Sequence, residues 1–239
     1  MSDYSARRKI MVDTQVRPSD VTKFPIIEAM LSVPRELFVP RAVKESAYIG
    51  ENCNLTAGRV VLEPRTLAKM LDALDIQRNE LVLDIGSGLG YSSAVIARMA
   101  EAVVALEEES EFASEAEGLL NEIGEDSVLV HSGALVSGAA QHGPFDVIIL
   151  QGGVEQVPDG VLSQLKDGGR IAAIFMDGAL GEVRIGYKIN TFLNWRFNCI
   201  FFGRFLFSRY DLLSLRNLSN YIFKIVIKYN TLIKFILIK

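Results

Sequence analysis

From about residue 80 onward, the spacing of apolar residues predicts short strands that alternate with helices. The strand-like runs are ELVLDIG, EAVVALE, SVLVHSG, FDVIILQGG and RIAAIFM, and the helical segments between them include YSSAVIARMA, SEFASEAEGLLNEIG and PDGVLSQLKDGG. Strands and helices that alternate at this pace are typical of an α/β fold. We therefore predict a doubly wound, Rossmann-like, mostly parallel sheet with helices on both faces.

The segment before this alternation is predicted to be largely helical. Apolar residues at helical spacing predict a helix from about Pro18 to Leu37, with Ser19 or Asp20 as its cap. Residues 47–62 carry glycine punctuation and no clear period, so we expect an irregular connection there. Pro64 then begins a second amphipathic helix, PRTLAKMLDAL.

The last quarter of the chain predicts an antiparallel edge and an unusual tail. GEVRIGYKIN and NWRFNCIFF carry aromatic and β-branched residues without an intervening helix, which favours an antiparallel pair at the far edge of the sheet. We divide the chain into an N-terminal helical extension and substrate-side segment (1–75), the α/β domain (76–200) and an Ile/Lys/Phe-rich tail (201–239).

Composition and charge exclude several classes of function. The 239 residues are 49% hydrophobic, with a formal net charge of −4 and a pI near 5.4, so the basic footprint of a nucleic-acid-binding protein is absent. The first residues, MSDYSARRKIMVDTQ, lack the apolar stretch of a signal peptide, so we expect a cytoplasmic protein. The two cysteines, Cys53 and Cys199, have no metal-ligand spacing. We expect no metal site and a monomer.

The most informative stretch is LVLDIGSGLGYSSAV, in which a strand runs into a glycine turn and then a helix. Ligands of open parallel sheets lie at such turns, beyond the carboxyl ends of the strands. Gly86, Gly88 and Gly90, with Ser87 between them, let the backbone turn sharply and let a ligand approach closely. Their G-x-G-x-G spacing is one residue short of the G-x-G-x-x-G fingerprint of dinucleotide sites.

Two acids favour one kind of ligand. Asp84 precedes the first glycine and would repel a pyrophosphate, but its carboxylate would suit a cofactor with an ammonium group and no phosphate, such as S-adenosylmethionine. Glu107 lies about twenty residues past the turn, where an acid accepts hydrogen bonds from ribose hydroxyls. Two alternatives stay open: acids that only favour the start of the next helix, and a tight turn in an unliganded domain.

Three segments together resemble the protein-L-isoaspartate O-methyltransferase family. AMLSVPRELFVP is similar to its N-terminal signature, VLDIGSGLGYSSAVIARM to its cofactor loop, and PFDVIILQGGVEQVPDGVLSQLKDGGRI to its fourth strand and the turn that follows. The resemblance, from about Met11 to Trp195, implies S-adenosylmethionine as cofactor. It also implies methyl transfer to the free α-carboxylate of an isoaspartyl residue in a damaged protein or peptide.

The chain departs from that family's pattern at two places. The family's T-I-S-Q-P-like motif, whose hydroxyls help to form the substrate site, is replaced by VVLEP, so Val60, Leu62 and Glu63 are the substrate-proximal candidates. The family's G-D-G after the third strand is replaced by HSGAL, without an acid. Two alternatives follow: a degenerate protein that binds only cofactor or a partner, and a methyltransferase for a different acceptor.

The tail allows two hypotheses. Its mixture of lysines with isoleucine and phenylalanine would suit a basic segment lying on a membrane surface, although the lysines interrupt the apolar run too often for a spanning helix. The same Ile/Lys/Asn/Phe/Tyr bias is typical of an AT-rich region read out of frame, which would make the tail no structural element. Of the two, the sequence favours the second.

Overall fold

A mixed sheet lies at the centre of the computed structural model, which describes residues 3–177, 180–190, 192–197 and 205–206. In this part of the chain two sheets form, one of two strands and one of eight. The strands are β1 (Cys53–Thr56), β2 (Arg59–Val61), β3 (Leu81–Ile85), β4 (Ala102–Glu107), β5 (Val128–Ser132), β6 (Phe145–Val154), β7 (Leu165–Asp177), β8 (Leu180–Ile189), β9 (Phe192–Phe197) and β10 (Phe205–Leu206).

The order of strands in the large sheet is β10-β8-β7-β6-β3-β4-β5, and β9 also pairs with β8. The strands from β3 to β7 pair in parallel, whereas β8 pairs antiparallel with β7, β9 and β10. The α/β class and the antiparallel pair at the edge are therefore confirmed. The chain moves outward from β3 to β5 and then returns to place β6 on the other side of β3. The strand order reverses beside β3, which is where such folds bind ligands.

The helices are α1 (Tyr4–Met11), α2 (Phe24–Ser32), α3 (Pro64–Leu74), α4 (Tyr91–Ala97), α5 (Ser110–Glu122) and α6 (Asp159–Leu162). Short 3₁₀ turns lie at Arg17–Ser19, Arg35–Leu37, Arg41–Ser46, Leu135–Ser137 and Ala140–His142, and a π-helical turn at Val12–Val16. Within the described residues, none of these helices has the length and apolar character needed to cross a membrane.

The core has two parts, one on each face of the large sheet, because side chains alternate along every strand. Val82 of β3 faces a cluster shared with α2, α3 and α4, while Leu83 and Ile85 face a second cluster with residues of β6 and β7. The N-terminal segment and the sheet thus share one cluster. Asp84 alternates to the same face as Val82, toward α4.

Several predictions about the first 75 residues were wrong. The helix expected over Pro18–Leu37 is only α2, because Asp20 adopts a left-handed conformation (φ 61°) and α2 begins after Lys23. Neither Ser19 nor Asp20 therefore caps it. The helix expected at Pro64 is confirmed.

The region expected to be irregular, residues 47–62, contains the β1–β2 hairpin, in which Cys53 pairs with Val61 and Gly58 turns the chain at φ 86°. We call residues 53–61 the hairpin.

The helix expected over residues 158–169 shortens to α6, because Leu165 already pairs with Phe145 of β6. Apart from Phe205 and Leu206, the hypotheses about the tail concern residues outside the described part of the chain.

Candidate active site

The glycine turn joins β3 to α4 at the carboxyl edge of the sheet. Gly86, Gly88 and Gly90 have φ values of 79°, 58° and 94°, a region that residues with a Cβ rarely adopt. The N–H of Gly86 donates to the carbonyl of Leu106 at 2.8 Å, so the turn is fixed to the end of β4. The predicted glycine positions therefore form one continuous backbone cradle.

Asp84 is fully buried, and three side chains donate hydrogen bonds to its carboxylate. The hydroxyls of Ser92 and Ser93 donate to its Oδ2 at 2.6 Å each, and the amide of Gln151 donates to Oδ1 at 2.7 Å. Burial raises the pKa of Asp84, which these three donors partly offset. The carboxylate thus fixes the first turn of α4 against β6. It would attract a positively charged ligand by its charge, without a direct hydrogen bond.

Glu107, also fully buried, lies at the end of β4 beside the glycine turn. Its Oε1 accepts from the N–H groups of Glu108 (2.9 Å) and Glu109 (3.0 Å), and its Oε2 accepts from the N–H of Gly88 (2.7 Å) and the guanidinium of Arg59. Burial raises its pKa, and Arg59 with the backbone donors works in the opposite direction. Glu107, the acid predicted to bind the ribose, therefore lies next to the predicted glycine cradle.

The hairpin covers this turn, which the sequence did not reveal. A Cβ placed on Gly88 would lie 2.6 Å from Cδ1 of Leu55 in β1, and Arg59 of β2 reaches Glu107. The base of the hairpin is held by Arg35, whose guanidinium donates to the carbonyl of Leu62 at 2.9 Å and lies 4.7 Å from the ring centre of Tyr91. The hairpin, the glycine turn and α4 therefore form one unit.

The substrate-proximal candidates lie at the end of this hairpin. Val60 and Leu62 are buried apolar side chains. Glu63 precedes α3, and its Oε1 accepts from the hydroxyl of Thr66 at 2.8 Å. Its carboxylate is thus bound to the first turn of α3. None of these three side chains offers a donor to an incoming carboxylate.

The turn fits a nucleoside cofactor with an amino-acid end. The Ser87 hydroxyl is buried and has no hydrogen-bond partner among the described residues, so it is a polar group that a ligand can satisfy. Gly86, Gly88 and Gly90 carry no Cβ that would keep a ligand away from the backbone. The Glu107 carboxylate lies beside the turn, within hydrogen-bond distance of the N–H of Gly88. The pattern expected for S-adenosylmethionine is therefore brought together in space, with Arg59 and Arg35 added to it.

Comparisons with known proteins identify the family of the chain. A family model described as "Protein-L-isoaspartate(D-aspartate) O-methyltransferase (PCMT)" matches residues 7–177. A protein named protein-L-isoaspartate O-methyltransferase from Syntrophus aciditrophicus is 35% identical over 171 residues, which are 72% of this chain and 78% of the relative. A relative from Opitutus terrae with the same name is also 35% identical, over 69% of this chain and 70% of its own.

Two solved structures share the fold. One, titled protein-L-isoaspartate O-methyltransferase, has a TM-score of 0.70 at 22% identity and covers 87% of this chain and 66% of its own. The other is a putative enzyme of that name from Plasmodium falciparum in complex with S-adenosyl-L-homocysteine, with a TM-score of 0.70 at 15% identity. That match covers 90% of this chain and all of the other.

Proposed function

The chain belongs to the protein-L-isoaspartate O-methyltransferase family and is an S-adenosylmethionine-dependent methyltransferase, and from this premise we propose how its own residues serve the reaction. The acceptor is the free α-carboxylate of an isoaspartyl residue in a protein or peptide. The observation that carries the proposal is the pair of buried carboxylates, Asp84 and Glu107, on either side of the glycine turn, where a phosphate would be repelled.

The cofactor site we propose consists of the glycine turn and the two acids. Gly86, Ser87, Gly88 and Gly90 receive the amino-acid end of the cofactor along the backbone, and Glu107 accepts the ribose hydroxyls. Asp84 fixes the turn and adds a negative charge behind it. When bound, the cofactor supplies an electrophilic methyl group on a sulfonium.

The residues of the chain have little proton chemistry to perform. An α-carboxylate is already ionised at neutral pH, so no general base has to remove a proton before attack. What the protein contributes is position and the exclusion of water, both of which lower the barrier to an in-line transfer. The hairpin, which packs over the glycine turn through Leu55, serves this purpose.

A methyl-transfer assay tests the acceptor. The protein is incubated with methyl-labelled S-adenosylmethionine and either an isoaspartyl peptide or the same peptide with ordinary aspartate, and base-labile label is measured. We expect ester on the isoaspartyl peptide alone. Binding of S-adenosylhomocysteine without transfer to either peptide would contradict the acceptor assignment and favour a cofactor-binding protein without turnover. The cytoplasmic location, the monomeric state and the division at residues 75 and 200 stay predictions.

A further inference from the structure

The Glu107 carboxylate has no acceptor position left. A carboxylate offers about four hydrogen-bond sites on its two oxygens. Here three of them are taken by the backbone N–H groups of Gly88, Glu108 and Glu109, and the fourth by the guanidinium of Arg59. A ribose hydroxyl can therefore bind Glu107 only after one of these four donors has moved.

Arg59 is the donor that can leave. The N–H of Gly88 belongs to a turn that is tied to Leu106, and those of Glu108 and Glu109 belong to the backbone that enters α5. Arg59, in contrast, reaches Glu107 through the end of a long side chain whose rotamers can change. Binding of the ribose to Glu107 and the Arg59–Glu107 ion pair therefore exclude each other.

The position of Arg59 suggests what its released guanidinium would bind. Arg59 directly precedes the stretch of Val60 to Glu63, in which the family carries the hydroxyls that this chain lacks. Val60 and Leu62 are buried and apolar, and Glu63 is bound to α3. A guanidinium presents a planar pair of N–H donors that matches the two oxygens of a carboxylate. The acceptor in this reaction is a carboxylate.

We propose that Arg59 is the receptor for the acceptor carboxylate, and that Glu107 holds it until the ribose of the cofactor takes its place. The inference rests on the proposed function, and it adds an order of binding. The cofactor displaces Arg59 first, and the carboxylate substrate then meets a guanidinium that no longer has its buried partner. One charged residue thus replaces the missing hydroxyls.

Binding measurements test the first half. Arg59→Gln is compared with wild type and with Arg78→Gln. Arg78 is an exposed arginine that precedes β3, so it lies at the amino end of that strand, and the glycine turn follows the carboxyl end. Because the ribose no longer has to displace a charged donor, calorimetry should show S-adenosylhomocysteine binding to Arg59→Gln about fivefold or more tighter than to wild type. Arg78→Gln should match wild type. Weaker binding to Arg59→Gln would show that Arg59 only supports the hairpin, and would overturn the proposal.

Steady-state kinetics test the second half. In Arg59→Gln the KM for an isoaspartyl peptide should rise by about tenfold or more, since a charged hydrogen-bonded contact is lost. Arg59→Lys should recover part of that loss, because it keeps the charge without the planar fork. The KM for S-adenosylmethionine should fall in the glutamine variant. The proposal therefore predicts opposite changes in the two KM values. If Arg59 had only a structural role, its replacement would raise both KM values.

The outcomes separate this inference from the proposed function. If wild type methylates the isoaspartyl peptide and Arg59→Gln has an unchanged peptide KM, Arg59 is not the receptor. If wild type fails to methylate it, the proposed acceptor is wrong, and tighter binding of S-adenosylhomocysteine by Arg59→Gln would still establish the displacement at Glu107. If Arg59→Gln does not fold, Arg59→Lys decides: a severalfold higher peptide KM with unimpaired cofactor binding supports the proposal, and any other result overturns it.

Discussion

Replacing Glu107 with glutamine tests the site through its hydrogen bonds. The new amide carries one oxygen and one NH2 group. If the NH2 takes the place of Oε2, it faces Arg59 and the N–H of Gly88, and if it takes the place of Oε1, it faces the N–H groups of Glu108 and Glu109. In either orientation two hydrogen-bond donors of the protein face the new NH2 group, which cannot accept from them, so two hydrogen bonds are lost.

The expected loss of stability follows from that count. A hydrogen bond to a charged group contributes about 1.5–3 kcal/mol, so two of them amount to about 3–6 kcal/mol. That is a large fraction of the roughly 5–15 kcal/mol that stabilises a typical domain. The guanidinium of Arg59 is also left buried without its counter-charge, which places the expected effect toward the upper end of the range.

Urea denaturation measures this free energy of unfolding, with Glu108→Gln as the matched control. Glu108 is exposed, so its neutralisation should change stability by about 0.5 kcal/mol or less. Calorimetric titration with S-adenosylhomocysteine should show no binding to Glu107→Gln and unchanged binding to Glu108→Gln. A Glu107→Gln protein within about 1 kcal/mol of wild type that still binds the ligand would refute the reasoning.

Substitutions at three positions probe the same turn and the first residues of β6. Gly88→Ala should abolish binding of S-adenosylhomocysteine in calorimetry, because the new Cβ would lie 2.6 Å from Leu55 and the backbone there is left-handed. The control is Gly118→Ala, on α5 with open space around it. It should bind the ligand normally, and its free energy of unfolding should rise by about 0.5–1 kcal/mol. Asp84→Ala leaves three buried donors without an acceptor, so denaturation should show a loss of about 3 kcal/mol or more in the free energy of unfolding. Asp84→Asn should lose clearly less, because the neighbouring hydroxyls can reorient toward the new amide. Equal losses in the two variants would contradict this. For Asp146, burial raises the pKa but its lysine and backbone partners outweigh burial and lower it below 3.8. Its stabilisation is therefore present above pH 3.8 and lost as the pH falls through the folded pKa. Asp146→Asn should then lower the melting temperature at pH 7 and leave it unchanged at the acid end, and an equal effect at both would contradict the sign.

The sequence predicted those parts of the site that depend on local pattern. The glycine turn, Asp84 and Glu107 each stand at the end of a strand whose apolar run is visible in the sequence, and parallel pairing brings such ends together. The helix from Pro64 was predicted for the same reason, since its apolar face repeats at helical spacing. The α/β architecture followed from the alternation of these elements.

The contacts that complete the site depend on residues far apart in the chain. Arg59 and Glu107 are 48 positions apart, and Gln151 reaches Asp84 across 67. The hairpin that carries Arg59 has strands of four and three residues, too short for an alternating pattern to show. The inward orientation of Asp84 also depends on two serines of α4, which could not be assigned as partners before the packing of α4 was known.

The crystal structure of a complex with S-adenosylhomocysteine is the most direct measurement. It should place the nucleoside over Gly86 to Gly90, with ribose hydroxyls within hydrogen-bond distance of the Glu107 carboxylate and the guanidinium of Arg59 turned away from it. A nucleoside bound elsewhere, or ribose bound at the turn while the Arg59–Glu107 ion pair stays intact, would contradict the account.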